Sequence, residues 1–291
     1  MSSFLLSAFQ LALCLAPMAM GIFITMKVFN IPDITTDGSY TLGATVTAVL
    51  LSQQMPIWMI LPISMGAGAI AGTCTGWIHT KLKIDALLSG ILIMTALYSV
   101  NLMIMGRSNI PLIDIKTIFN VLPLSGEETI DALIIAFLIV CVLVFIIIYL
   151  LKTDFGISMR ATGNNPVMTR ALGINNDRIK IIGLSISNAL TAMSGFLVAQ
   201  YQGFADINMG IGIVITGLGS VLIADTLKNA LGVRKIGHQI LLLIIGSILF
   251  QMVLAFALSI GIDPSLLKLI TAVFVLAIVS IPEISKRIFK K

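Results

Sequence analysis

Nine apolar stretches, each followed by a short polar segment, restrict this chain to one kind of fold. They cover residues 4–26, 41–52, 57–78, 86–105, 130–151, 181–199, 209–223, 240–259 and 266–281. An α-helix rises about 1.5 Å per residue, so about 20 residues cross the roughly 30 Å of hydrocarbon in a bilayer. Hydrocarbon offers no partner to a free backbone amide, which leaves helices as the form for continuous apolar runs of this length. The expected fold is an all-α, polytopic membrane helical bundle of about nine spans. It occupies 1–291 as a single domain, with a polar loop at 152–180. The second and seventh stretches are short and contain glycine, which marks them as candidates for broken or re-entrant helices. Gly38 and Gly43 at the opening of the second, and Gly212 and Gly217 in the seventh, repeat one spacing in segments of opposite direction, as an inverted repeat requires.

Charge fixes the orientation. Only 11% of residues are charged, against about 25% in soluble domains. Placing 152–180 and 286–291 in the cytoplasm also puts Lys27, Lys81, Lys83, Lys228, Arg234 and Lys235 there. All of the 18 Lys and Arg except Arg107, Lys116 and Lys268 are then inside. The net charge of +5 reflects this positive-inside bias, so lipid is expected as the surroundings and no nucleic acid as a partner. Nine spans set the N-terminus outside and the C-terminus in the cytoplasm; a re-entrant second stretch would move the N-terminus inside. Residues 1–3 lack a basic region and a cleavage pattern, so the first stretch is expected to be retained as a span.

The chain carries little chemistry of its own. It has no GxxxxGK[ST] loop, no Gly-Lys pair and no HExxH, so it is not expected to bind a nucleotide, metal or other cofactor or to be an enzyme. Its 13 acidic residues fall in loops or near span ends, which argues against an intramembrane ion relay. Asp33 and Asp37 precede the second stretch and are read as helix caps, with a gating role as the alternative. His79 and His238 read as interfacial, and Cys14, Cys74 and Cys141 as small core residues.

One polar segment stands out. Within KTDFGISMRATGNNPVMTRALGINNDRIK (152–180), Asn165 suits an N-cap, Pro166 the first helical position and Gly173 the left-handed residue beyond the end. Between them lie about two turns, with Arg170 where the helix dipole favours a cation.

The run GISMRATGNNPVMTRALGIN resembles the cytoplasmic coupling loop of permease subunits from bacterial ABC importers, in the branch with branched-chain amino acid, ribose and nucleoside permeases. Arg160, Ala161, Gly163, Asn165, Pro166, Ala171, Gly173 and Ile174 carry the pattern. The segments IPDITTDGSYTLGA (31–44) and LLSGILIMTALYSVNLMIMGRSNIPLI (87–113) resemble a sub-branch associated with tryptophan or tyrosine. The resemblance implies a permease fold like that of the vitamin B12 importer class, in a bacterial cell membrane. It also implies a dimer of permeases (a second copy of this chain), two cytoplasmic ATPase subunits that hold ATP and Mg, and an extracellular binding protein. In that scheme Arg160 and Arg170 pair with acidic groups of the ATPase, while Val167, Met168 and Leu172 fill its groove.

Asn101, Asn188, Thr191 and Gln200 are candidates for a translocation pathway, or equally for interhelical hydrogen bonds. Gly90 and Gly195 read as close-approach positions. The outer loop 107–131, with Asp114, Lys116, Glu127 and Glu128, is either a binding-protein contact or simply solvated. An importer permease for a small organic solute, with an amino acid expected, is the reading; an ion-coupled carrier and an exporter of the same fold are the alternatives.

Overall fold

A computed structural model of the chain describes residues 2–113, 115–120, 128–263 and 266–288. Asp114 and Glu127 of the outer loop lie outside the described residues, as do Lys290 and Lys291. Helix α1 (Ser2–Phe23) runs into a π-helical turn, Ile24–Val28. It is followed by α2 (Thr35–Ser52), α3 (Ile57–Lys81), α4 (Ala86–Met105) and α5 (Glu128–Lys152). Two short helices, α6 (Asp154–Asn164) and α7 (Pro166–Ala171), lead into α8 (Asn176–Gln202). Three more complete the bundle: α9 (Ile213–Leu231), α10 (Ile236–Ser259) and α11 (Leu267–Ile288). The only departure from an all-α fold among the described residues is a two-stranded antiparallel ribbon. It pairs β1 (Asn109–Pro111) with β2 (Phe204–Asp206), Ile110 opposite Ala205.

Among the described residues, seven helices are long and apolar enough to cross a membrane: α1, α3, α4, α5, α8, α9 and α10. Each of the nine apolar stretches is largely helical; α2 is not among the seven, and the described apolar run of α11 is Leu267–Ile278. Trp58 and Trp77, at opposite ends of α3, are exposed, as interfacial tryptophans are. Their 19-residue separation spans about 28 Å along the helix, close to the hydrocarbon thickness.

Helix α8 is the central post. Helices α1, α2 and α3 close around it, and small residues let their backbones approach. On α3, Gly68, Gly72 and Gly76 recur every fourth residue and face Asn188, Leu184 and Ile181 of α8. Gly43 of α2 rests on the Ala192 backbone, and Gly195 of α8 on the Tyr40 carbonyl. Gly90 lies against the Ile34 and Thr35 amides. Helices α3, α4, α5 and α10 keep broad apolar faces outward, including Phe145, Met103 and Phe256.

The basic residues sort to one end. Lys27 pairs with Asp225 at 2.9 Å, Lys228 with the same carboxylate, and Lys81 with Asp177 at 3.5 Å, all at the end that carries α6 and α7. The Tyr201 hydroxyl donates to the Ser7 carbonyl at 3.1 Å, placing the start of α1 at the opposite end with the β-ribbon.

Three expectations need correction. Helix α2 is neither broken nor short: it is one continuous 18-residue helix whose polar first turns are wholly buried. Its hydrophobicity begins late because its early side chains, such as Thr35, Ser39 and Thr41, are paired inside the bundle rather than facing lipid. One cap also differs: Asp33 lies in the loop before α2 and Asp37 in its first turn, near a helix end as expected. Asp33 and Asp37 are buried, 5% and 9% exposed. Asp33 Oδ1 accepts the Thr35 amide, capping α2. Asp37 caps a different helix from the one that was expected. Its oxygens accept the Gly212 and Val214 amides at 2.8 and 2.9 Å, at the start of α9. That start is inside the bundle, about 20 Å along the helix from the ion-paired Asp225. Finally, Cys14 is in the core, but Cys74 and Cys141 lie on outward faces of α3 and α5.

Two outcomes follow. A Cβ added at Gly72 meets the Leu184 carbonyl and the Asn188 Cβ, whereas a Cβ added at Gly66 meets nothing within 4 Å. Gly72→Val is therefore expected to lose about 1–3 kcal/mol and to lower the midpoint of thermal unfolding in detergent, with Gly66→Val near wild type; equal midpoints would refute the close packing. Asp37→Ala leaves the part-buried first amides of α9 without their acceptor, at about 1–3 kcal/mol. Hydrogen exchange at 212–216 is expected to rise in that variant.

Candidate functional site

The polar segment between α5 and α8 is built as a stiff relay. Thr153 Oγ1 accepts the Gly156 amide at 3.4 Å and starts α6 one residue after α5 ends. Helix α6 buries Gly156, Met159 and Thr162. Its Gly163 abuts the Val28 carbonyl, and the Asn30 side chain donates to the Gly163 carbonyl at 3.3 Å. Asn165 then performs two tasks. Its amide donates to Ala161 O at 2.9 Å, closing α6, and its side chain accepts the Met168 amide at 3.0 Å, opening α7. Its extended backbone, φ −149°, turns the chain between the two helices. Pro166 occupies the first position of α7, where no donor is lost.

The far end of α7 closes as a Schellman motif. The Ile174 amide donates to Thr169 O and the Gly173 amide to Arg170 O, both at 3.0 Å. Gly173 sits at φ +81°, which an L side chain rarely adopts. Asn175 caps α8 by accepting the Arg178 amide at 3.1 Å. Asn176, buried, then ties α7 to the base of α8: it accepts from the Thr169 hydroxyl at 2.9 Å and donates to Pro166 O at 2.6 Å.

What α7 presents outward is apolar and basic. Val167, Met168 and Leu172 are 79%, 59% and 68% exposed, with Arg170 beside them. Apolar side chains set out on a charged end in this way mark a contact surface. A cavity of about 800 Å³ adjoins it, lined by His79, Lys83, Asp85, Arg170, Asp177 and Lys180.

The residues singled out in the sequence separate into groups. Asn165, Pro166, Val167, Met168, Arg170, Leu172 and Gly173 form one rigid element, with Ile174 half-buried at its exit. Arg160 and Gly163 belong elsewhere. Gly163 packs inward, and Arg160 borders a separate cleft of about 220 Å³ with Lys27, Asp225, Lys228 and Arg234. The sequence reading missed α6 and the brace. The Thr153-Asp154 pair, a good cap with an acid in the first turn, signalled α6; the doubled Asn175-Asn176 signalled the second cap but not the clamp.

Asn101, Asn188 and Thr191 are fully buried. Asn188 donates to Asp33 Oδ2 at 2.8 Å and accepts from Ser39 Oγ at 2.6 Å. Thr191 bonds the Ser187 carbonyl of its own helix. Asn101 donates weakly to Gly38 O at 3.4 Å, and its amide oxygen has no partner among the described residues. Gln200 lies at the other end, where its side chain accepts the Ile118 amide at 2.8 Å. The structure therefore does not bring these four together.

The family model described as branched-chain amino acid transport system / permease component matches residues 4–279. A tyrosine transport system permease protein of Clostridioides difficile is 42% identical over 273 residues, covering 94% of this chain and 89% of that one. An uncharacterized protein of Rickettsia prowazekii is 36% identical over 92% of this chain and 94% of its own length. More distant is a ribose import permease protein of Haemophilus influenzae, 24% identical over 74% of this chain and 66% of its own. No solved structure matches the chain. The seven apolar helices and a match from residue 4 to residue 279 lead to one conclusion: this is a multi-pass membrane protein belonging to the family of branched-chain amino acid transport system permease components, which are ABC transporter permeases.

Proposed function

We propose that the chain is the permease subunit of an ATP-driven importer, with α7 as the lever through which a partner ATPase moves it. The observation that carries this reading is the braced, double-capped α7 with its apolar tip facing outward at the basic end. A helix of 6 residues is unstable alone in water. Here the caps and Asn176 hold it in one orientation before any partner arrives. A force on Val167, Met168 and Leu172 then passes through Asn176 into α8, the post around which the bundle closes. Two cytoplasmic ATPase subunits, a second copy of this chain and an external binding protein complete the assembly, and ATP with Mg resides in the ATPase. All nine helices α1–α5 and α8–α11 cross or enter the bilayer, with the N-terminus outside and the C-terminus in the cytoplasm. The tyrosine permease relative supports an amino acid as cargo, aromatic ones first.

An ion-coupled carrier needs a carboxylate free to bind its ion. Among the described residues three carboxylates are buried, Asp33, Asp37 and Asp131; the first two are engaged as helix caps, and Asp131, at the start of α5, has a partner of its own.

In vesicles reconstituted with the ATPase and binding protein, Arg170→Glu is expected to cut ATP-driven uptake about tenfold, the loss typical of an interface arginine, while ATP hydrolysis continues. Gly173→Pro, which removes the amide bonded to Arg170 O and cannot adopt φ +81°, is expected to do the same. Wild-type coupling in either would remove α7 from this role. The cargo is tested separately, by thermal-shift titration of the binding protein with tyrosine, tryptophan and leucine; tyrosine is expected to give the largest shift.

A further inference from the structure

At the basic end, away from α7, helices α5 and α10 enclose a cleft of about 410 Å³ lined by Ile148, Lys152, Lys235, Ile236, His238 and Leu241. Its two halves differ in chemistry. Ile148, Ile236 and Leu241 form an apolar wall continuous with the outward faces of the two spans, where Phe145, Leu241 and Ile245 are exposed. Lys152, the last residue of α5, and Lys235, the N-cap of α10, form the rim with His238. Neither lysine has a carboxylate within 4.0 Å among the described residues, whereas Lys27, Lys81 and Lys228 at the same end are paired. Tyr149, 67% exposed, lies one turn above Lys152, at the depth an interfacial ring takes.

The geometry points to a binding site for one anionic phospholipid of the cytoplasmic leaflet, its phosphate between Lys152 and Lys235 and an acyl chain along Ile148 and Leu241. A free phosphate would have no use for the apolar wall, and a zwitterionic lipid would leave two lysine charges uncompensated. A basic recess between spans on the cytoplasmic side suits an anionic headgroup, and the first turn of α10 adds its dipole in the same sense. Lys152 immediately precedes Thr153, which caps α6. A headgroup bridging Lys152 to the first turn of α10 therefore fastens the root of the segment that carries α7, and the lipid becomes a structural member of that hinge. The site does not depend on α7 being a lever.

Native mass spectrometry of the full chain in detergent tests this, with phosphatidylglycerol and phosphatidylcholine titrated in parallel. One phosphatidylglycerol per chain is expected to bind about tenfold more tightly than phosphatidylcholine. The combined Lys152→Gln, Lys235→Gln variant is expected to lose that preference while keeping its elution volume and helical circular dichroism; Lys83→Gln, outside the cleft, is expected to keep it. Should the double variant not fold, photoactivatable phosphatidylglycerol on the wild-type chain reads the same site, with labelling expected on α5 and α10 around Ile148 and Leu241. Equal affinities for the two lipids, an unchanged preference in the folded double variant, full displacement by millimolar inorganic phosphate, or labelling elsewhere would each overturn the proposal.

Discussion

Helix α9 begins within the bundle, and the fold depends on how its first amides are satisfied. Orphan donors in hydrocarbon each cost several kcal/mol, so an internal helix start needs an acceptor from elsewhere in the protein. Asp37, one turn into α2, supplies both of its oxygens. Asp33 does the same for α2 itself and also accepts from Asn188 in the middle of α8. Two antiparallel helices thus start inside the bundle on acceptors held by one short stretch of chain. That stretch is fastened to the central post through Asn188 and Ser39.

Helix α8 links this buried node to the polar end. At its base Asn176 grips α7; midway Asn188 holds Asp33 and Ser39; near its top Gln200 and Tyr201 bond the Ile118 amide and the Ser7 carbonyl. Glycines on α3 bring a second backbone close along the same length. A displacement at α7 therefore acts on a rod packed on several sides, not on a flexible loop. The glycines and the buried polar pairs serve one end: they make the bundle stiff enough to move as a body.

Much of this was legible in the sequence, for reasons that can be named. The apolar runs located all seven helices that are long and apolar enough to cross a membrane among the described residues, because length against bilayer thickness is a strong constraint. The Asn165, Pro166 and Gly173 caps were legible because each satisfies a local backbone need within a few residues. Asp33 was legible as the cap of α2 because its amide partner is two residues on, whereas Asp37 was assigned to the wrong helix because what satisfies it is distant: an amide of α9 is 175 residues away. A polar prefix such as TTDGSY has the same composition whether it lies in water or pairs inside a bundle. Arg160 was grouped with Arg170 by the family pattern; the turn at Asn165 places Arg160 on α6 and Arg170 on α7. The resemblance identified the family, but it did not reveal the Asn176 brace.

The central claim is that the tip of α7 is gripped by an ATPase. Site-directed cross-linking tests it directly, with Met168→Cys in a chain whose exposed Cys74 and Cys141 are replaced by Ser, in membranes that also contain the partner ATPase. A short bifunctional thiol reagent is expected to join the two subunits, with a yield that changes when ATP is added. The same reagent on Val253→Cys, on an outward face of α10, is expected to give no such product. Equal yields at both positions, or none at Met168→Cys, would contradict the account.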